Sequence, residues 1–252
     1  MKKMDTNRKT YERTDIVQTY KKAFYLDKPE LALLYKLEGR LRSMKMLDIG
    51  VGGGRTTHFF AGRVASYTGI DYSESMIKAC TERFPQEKFL ICDVRNMDIF
   101  DDNSFDLVLF SFNGLDSLSH EDRLKALKEI KRVCRKEGIF FFSTHNLNYI
   151  DEVFRFKWSI SLILTLSNIR KYLLLRMKNN KNRLTTMKYA TVIDGTHNFN
   201  IASYYILADE QVDQLSALGF KNIKIFSSIH GLEMENNFDV AKEPWLYYLC
   251  TK

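Results

Sequence analysis

Lys45-Met-Leu-Asp-Ile-Gly-Val-Gly-Gly-Gly-Arg55 is the stretch on which the reading of this chain turns. Lys45 to Ile49 reads as a buried strand, Gly50 to Gly54 as a glycine-rich turn, and Thr56 to about Val64 as the helix that follows. Glycine reaches backbone angles closed to other residues and lets a ligand approach the main chain closely. Strand, turn and helix in that order make a nucleotide-type cleft at the carboxyl end of a strand. The dinucleotide fingerprint G-x-G-x-x-G, begun by Gly50 and Gly52, needs its third glycine where this chain has Arg55. A P-loop is excluded as well, because no Gly-Lys-Ser/Thr follows the glycines.

The stretch does match D-x-G-x-G-x-G, with Asp48, Gly50, Gly52 and Gly54. In this it resembles the first motif of the class I, Rossmann-like methyltransferases that use S-adenosyl-L-methionine and release S-adenosyl-L-homocysteine. A sulfonium cofactor carries positive charge where a dinucleotide carries a negative pyrophosphate, so a carboxylate beside the turn suits the first and repels the second. The resemblance implies an α/β fold: a doubly wound, mostly parallel seven-stranded sheet with an antiparallel last strand. It covers residues 45–146 closely and 203–252 loosely. The expected organisation is one domain over 1–252. It comprises an N-terminal helical segment (1–44), a cofactor-binding core (45–146), an inserted cap (147–202) and the end of the core (203–252).

The chain has 252 residues, 45% hydrophobic and 27% charged, ordinary globular values and enough for one large α/β domain. Its net charge of +7 is modestly basic, compatible with an acidic partner without demanding one. Cys80, Cys92, Cys134 and Cys250 are scattered without a C-x-x-C pair, so neither a metal site nor a disulfide framework is expected. The first fifteen residues lack an apolar core, and no run approaches the ~20 apolar residues of a membrane span. A cytoplasmic enzyme with reduced cysteines is the expectation.

Residues 1–10 read as a frayed polar end, and two helical stretches lie between Tyr11 and Met44. In the resembled family such helices fold over the cofactor, which makes Tyr11 and Tyr20 aromatic candidates. Val64 to Asp71 is a second strand ending in an acid 21 residues beyond Gly50, the spacing of a ribose-binding carboxylate. Tyr72 beside it offers a flat face to adenine. A helix over 73–83 follows, stopped by Phe84-Pro85. After a third strand, Lys88 to Cys92, the resemblance implies that Asp93 meets the adenine amino group and Val94 its ring.

The fourth strand, Ser104 to Phe110, delivers Ser111-Phe-Asn-Gly-Leu-Asp116 to the edge where ligands sit in open α/β sheets. Ser111 is therefore a cofactor candidate, and Asn113 and Asp116 are candidates at the transferable methyl. Family members that modify nucleobase or amide nitrogens often carry Asn/Asp-Pro-Pro-aromatic here, which this chain lacks. A helix capped by Ser119 is predicted to run to Lys136, with Leu124, Leu127, Ile130 and Val133 inward and Gly138 at its end. A fifth strand, Ile139 to Thr144, brings His145 to the same edge, where it is the leading general-base candidate, with His120 and His197 behind it. Tyr204 and Tyr205 are candidate acceptor contacts.

The α/β rhythm breaks between Leu147 and Ala202. There an apolar run from Trp158 precedes Arg170 to Lys188, a stretch with seven basic residues and no acid. A lid helix with a solvated basic face, a membrane interface and a phosphate contact are the readings this composition allows. The leading functional expectation is methyl transfer to a small-molecule acceptor. The alternatives are an RNA methyltransferase using the basic segment and a non-catalytic S-adenosylmethionine-binding module.

Overall fold

The structure, a computed structural model, describes residues 7, 9–234 and 239–252. The expected frayed end over 1–10 falls largely outside the described residues. Strands β1 (Lys45–Ile49), β2 (Ser66–Asp71), β3 (Lys88–Ile91), β4 (Phe105–Phe110) and β5 (Cys134–Asn146) run parallel in the order β3-β2-β1-β4-β5. The last strand, β9 (Trp245–Thr251), lies antiparallel between β5 and β8 (Lys221–Ser227), completing the seven expected strands. A hairpin of β6 (Tyr189–Val192) and β7 (Ser203–Ile206) adds two more, paired through β7 to the last two residues of β5. The sheet therefore has nine strands among the described residues, two of them from or beside a segment where the sequence pattern showed no rhythm.

β1 is buried from Met46 to Ile49 because both its faces are covered. Leu47 and Ile49 face one core layer with Phe140, Phe142, Leu127 and Leu215, under helices α5 (His120–Val133) and α9 (Ala208–Ala217). Met46 faces the other with Leu107, Phe141, Tyr247 and the leucines of α2 (Lys28–Leu41). Neighbouring residues on one strand thus go to opposite layers, the period of two that a pleated strand imposes.

α5 starts as expected, with the Ser119 hydroxyl accepting from the Asp122 N–H. It stops at Val133, three residues before the predicted Lys136. Cys134 takes extended angles, is fully buried and pairs with Phe105, so Cys134 to Gly138 already belongs to β5. Charged Arg135 and Lys136 carry no periodicity of their own, which is why the pattern ran through them.

α2 is held by a buried ion pair. Asp27 and Glu30 form a capping box at the start of α2, and the Glu30 carboxylate is wholly buried. Both its oxygens accept from the Arg55 guanidinium at 2.6 Å. The Arg55 Nη2 also donates to Ser111 Oγ at 2.8 Å, and Tyr247 donates to Asp27 at 2.5 Å and to Glu30 at 3.3 Å. The guanidinium lies between the Tyr25 and Phe112 rings, 5.3 and 5.0 Å from their centres. Removing one partner of such a pair strands a buried charge. Glu30→Ala is accordingly expected to lose ~3–5 kcal/mol in denaturant unfolding, with much of that recovered in Glu30→Leu/Arg55→Met, which leaves no charge behind.

Candidate active site

The turn after β1 is shaped by what approaches it. A β-carbon on Gly53 would sit 2.4 Å from the carbonyl carbon of Tyr20, so only glycine lets α1 (Thr14–Lys21) rest its end on the turn. Gly52 has φ of +55°, the left-handed region, and donates its N–H to Asp71 Oδ2 at 3.0 Å. Arg83 fastens the arrangement by donating to the carbonyls of Lys21 and Gly53.

Between this turn and the ends of β2 and β4 lies a cleft. Its walls include Gly50, Gly52, Asp71, Tyr72, Val94 and Ser111 from the expected set, together with Tyr11 and Tyr20. Met76, Cys92, Phe110 and Phe112 supply further apolar wall. Tyr11 and Tyr20 meet edge to face at 6.0 Å, and Tyr11 meets Tyr72 in the same way at 6.4 Å, so the N-terminal segment roofs the cleft with aromatic rings. Asp71 is the only charged side chain of the lining among the described residues. Its second oxygen accepts from the Ser73 N–H at 2.9 Å, and burial, only partly offset by the N–H donors of Ser73 and Gly52, pushes its carboxyl up to about 6.

Three expected cofactor residues lie elsewhere. Asp48 is buried behind the turn, where its Oδ2 accepts from Thr56 at 2.5 Å and Tyr67 at 2.6 Å. Burial pushes its carboxyl up to about 6 against those two hydroxyls. Gly54 faces Phe84 and Cys80 rather than the cleft. Asp93 turns toward Arg95, whose Nε and Nη2 it accepts at 2.9 and 2.5 Å. Val94 and Cys92, its neighbours, are the ones that reach the lining.

The exit from β4 is unusual in its backbone. Phe112 and Asn113 both have positive φ, 53° and 56°, which non-glycine residues adopt only where surroundings hold them. The Asn113 N–H donates to Ser143 Oγ at 2.8 Å. This turn brings Asp116 under β5, where its buried carboxylate is fully engaged. Oδ1 accepts from Arg123 at 2.7 Å and Thr144 at 2.6 Å, and Oδ2 accepts from the His145 N–H at 2.7 Å. His145 Nδ1 lies 2.7 Å from the same Oδ2, so the carboxylate fixes the proton on Nδ1 and leaves Nε2 as a lone pair. That Nε2 is 3.4 Å from the Asn113 amide, whose oxygen is buried without a partner. The three catalytic candidates, His145, Asp116 and Asn113, are therefore in mutual contact.

Beyond His145 a second groove opens, walled by Tyr149, Phe156, Tyr172, Asp194, Tyr205 and Trp245. Tyr205 stacks on the His145 ring at 4.7 Å and donates to Asp194 at 3.0 Å. Tyr204 is buried against Arg123 instead and does not line the groove. His120 stacks on Tyr189 at 3.9 Å and shares a hydrogen bond with Tyr204 at 2.8 Å, while His197 packs beside Tyr11 and Tyr20 in the roof.

Arg55, Glu30 and Arg123 escape a reading of the sequence. Arg123 had a signal, because it stands four residues before Leu127 and seven before Ile130 on the inward stripe. A buried arginine on that stripe requires a carboxylate, and Asp116 is the one it meets. All four cysteines are free and buried. Among the described residues no helix is long and apolar enough to cross a membrane.

This strand order, with its antiparallel last strand and ligand cleft at the β1–β4 edge, defines the class I, Rossmann-like methyltransferase fold. Residues 47–142 match the family model described as a methyltransferase domain. A demethylmenaquinone methyltransferase of Thermotoga maritima is 29% identical over 96 residues, 37% of this chain and 40% of that protein. The chain spans 40–51% of the length of the first curated relatives it matches. Among solved structures, an S-adenosylmethionine-dependent methyltransferase from Clostridium acetobutylicum is 14% identical with a TM-score of 0.62, covering 89% of this chain and 90% of that one. The 1,6-didemethyltoxoflavin-N1-methyltransferase of Burkholderia thailandensis, solved with its acceptor and S-adenosylhomocysteine, is 17% identical with a TM-score of 0.60, covering 99% and 86%. At these identities the two structures bear on the fold alone.

The buried Asp48 makes a prediction about stability. Its carboxyl rises from 3.8 to about 6 on folding, so the native state takes up a proton between pH 6 and 4 that the unfolded chain does not. This contribution is fully present below pH 4 and falls as pH rises to 6, by ~3 kcal/mol in all. Asp48→Asn removes it. The stability of the variant relative to the native chain is expected to improve by about that amount between pH 4 and 7 in urea titrations, and a pH-independent difference would contradict the assignment.

Proposed function

We propose that this chain is an S-adenosylmethionine-dependent methyltransferase acting on a small-molecule acceptor held in the groove beside His145. The observation that carries the reading is the junction of two depressions at one turn. A cleft whose only charge among the described residues is Asp71 ends at Phe112 and Gly114, and a separate groove begins at His145, with Asn113 between them.

The cleft suits this cofactor by its chemistry. Asp71 would accept the ribose hydroxyls, a charge-assisted contact. Tyr72 and Val94 would border the adenine, and the main chain of Gly50 and Gly52 that lines the cleft, with Ser111, the amino-acid end. A pyrophosphate would find no cationic side chain among the described residues of the lining, whereas a sulfonium gains from the aromatic faces of Tyr11 and Tyr20. Asp48, Gly54 and Asp93 have no direct contact in this assignment.

When bound, S-adenosylmethionine supplies an electrophilic methyl group, and the protein's chief work is to align an acceptor in line with it. Asn113 would orient the acceptor through its amide. His145, with Nδ1–H held by Asp116, would take the acceptor's proton on Nε2 as its lone pair attacks. Arg123 and Thr144 hold the Asp116 carboxylate in place against the His145 ring. Five aromatic side chains share the groove with Glu152, Asp194, Arg155, Lys157 and Lys171, which favours a flat acceptor that carries polar groups.

Calorimetry is expected to show S-adenosylmethionine binding that weakens by at least ~1 kcal/mol in Asp71→Ala, through lost charged hydrogen bonds. In the native chain affinity should fall about tenfold per pH unit below about 6, as Asp71 takes up its proton. Unchanged affinity in the variant would remove the ribose assignment. With radiolabelled cofactor, label is expected in a small-molecule extract and not in total RNA. His145→Ala should lower that turnover ~10²–10⁴-fold with cofactor affinity intact. Label in RNA alone would overturn the acceptor class, and label in neither would favour a binding module.

A further inference from the structure

Helix α7 (Leu162–Lys178) leaves most of its apolar surface bare. Leu162, Leu166, Ile169, Leu173 and Met177 recur at helical spacing along one stripe, and only Leu175, on the opposite side, is buried. Trp158 and Met177 are 82% and 80% exposed, although large contiguous apolar patches are rare on monomeric proteins unless they bind something.

The charges around the stripe say what covers it. From Arg155 to Lys188 the chain carries nine basic residues and no acid, so against a total of +7 the remainder nets −2. Arg170, Lys171, Arg176 and Lys178 form no ion pair among the described residues. By helical position Arg176 flanks the stripe on one side and Arg170 on the other, while Lys178 and Lys171 lie further round, Lys171 beside the groove. Long basic side chains at such positions lay their stems along apolar surface and keep their charges at its rim.

We propose that this face of α7, with Trp158 ahead of it, docks in the interface of an anionic lipid bilayer. The helix, ~25 Å long at 1.5 Å per residue, would lie in the membrane plane with its leucines below the headgroups and its cations among the phosphates. Trp158 is a residue type that settles at the headgroup level. A second copy of the chain fits less well, because a two-fold contact sets the same cations against each other. Nucleic acid would meet the cations but leave the leucines in water. The opposite side of α7 walls the groove through Asn168, Tyr172 and Leu175, so a bilayer on the stripe lies about one helix diameter, ~10 Å, from the groove.

Vesicle sedimentation tests this with the whole chain. Binding is expected to be at least tenfold tighter to vesicles of phosphatidylcholine and phosphatidylglycerol at 7:3 than to phosphatidylcholine alone, and to weaken as salt rises. Tryptophan emission should shift to the blue on binding, and the shift should vanish in Trp158→Phe. Leu166→Glu/Leu173→Glu should abolish binding while the circular dichroism spectrum is retained. Arg170→Gln/Arg176→Gln should weaken it about fivefold per charge. No association with anionic vesicles, equal association with neutral ones, or association that ignores both double variants would overturn the proposal. So would a solution dimer, or RNA binding, that is lost in Leu166→Glu/Leu173→Glu in place of vesicle binding.

Discussion

Arg55 leaves the glycine turn and enters the protein, where its guanidinium meets both oxygens of Glu30. Four segments distant in sequence converge on that contact: the motif turn through Arg55, α2 through Glu30, the exit of β4 through Ser111, and β9 through Tyr247. Burial disfavours the Glu30 carboxylate and drives its carboxyl upward, and the adjacent guanidinium opposes this. A pair so placed fixes register more than it adds stability. Here the register concerns how the N-terminal segment sits over the cleft, because Tyr11 and Tyr20 precede α2 and roof the turn.

The carboxylates around the edge divide by their partners. Asp48 serves the backbone scaffold, bonded to Thr56 and Tyr67 behind the turn. Asp71 uses one lone-pair direction of each oxygen for the N–H groups of Gly52 and Ser73 and still lines the cleft. Asp116 is enclosed by four donors and reaches solvent chemistry only through the His145 ring. Identical side chains thus do different work according to the donors that folding places beside them.

Much of this architecture is legible in the sequence. β1 to β5 announce themselves as apolar runs between turns, and the glycine spacing with Asp71 locates the cleft. His145, Asp116 and Asn113 come together because carboxyl ends of parallel strands share one edge. What is not legible depends on contacts between segments. Arg55 enters the sequence reading only as a glycine that is missing, and Glu30 only as a polar residue in a helix. Asp93 fits the family spacing, yet Arg95 two residues on captures its side chain. The β6–β7 hairpin pairs with only the last two residues of β5, so its register comes from tertiary packing rather than from a pattern of its own.

The most direct measurement is a crystal structure of the chain with S-adenosylhomocysteine. The adenosine should lie in the cleft beneath Tyr11 and Tyr20, with its ribose hydroxyls on the Asp71 carboxylate and its sulfur directed toward the Asn113 turn. A ligand bound away from Asp71, or with its sulfur turned from Asn113 and His145, would contradict the account.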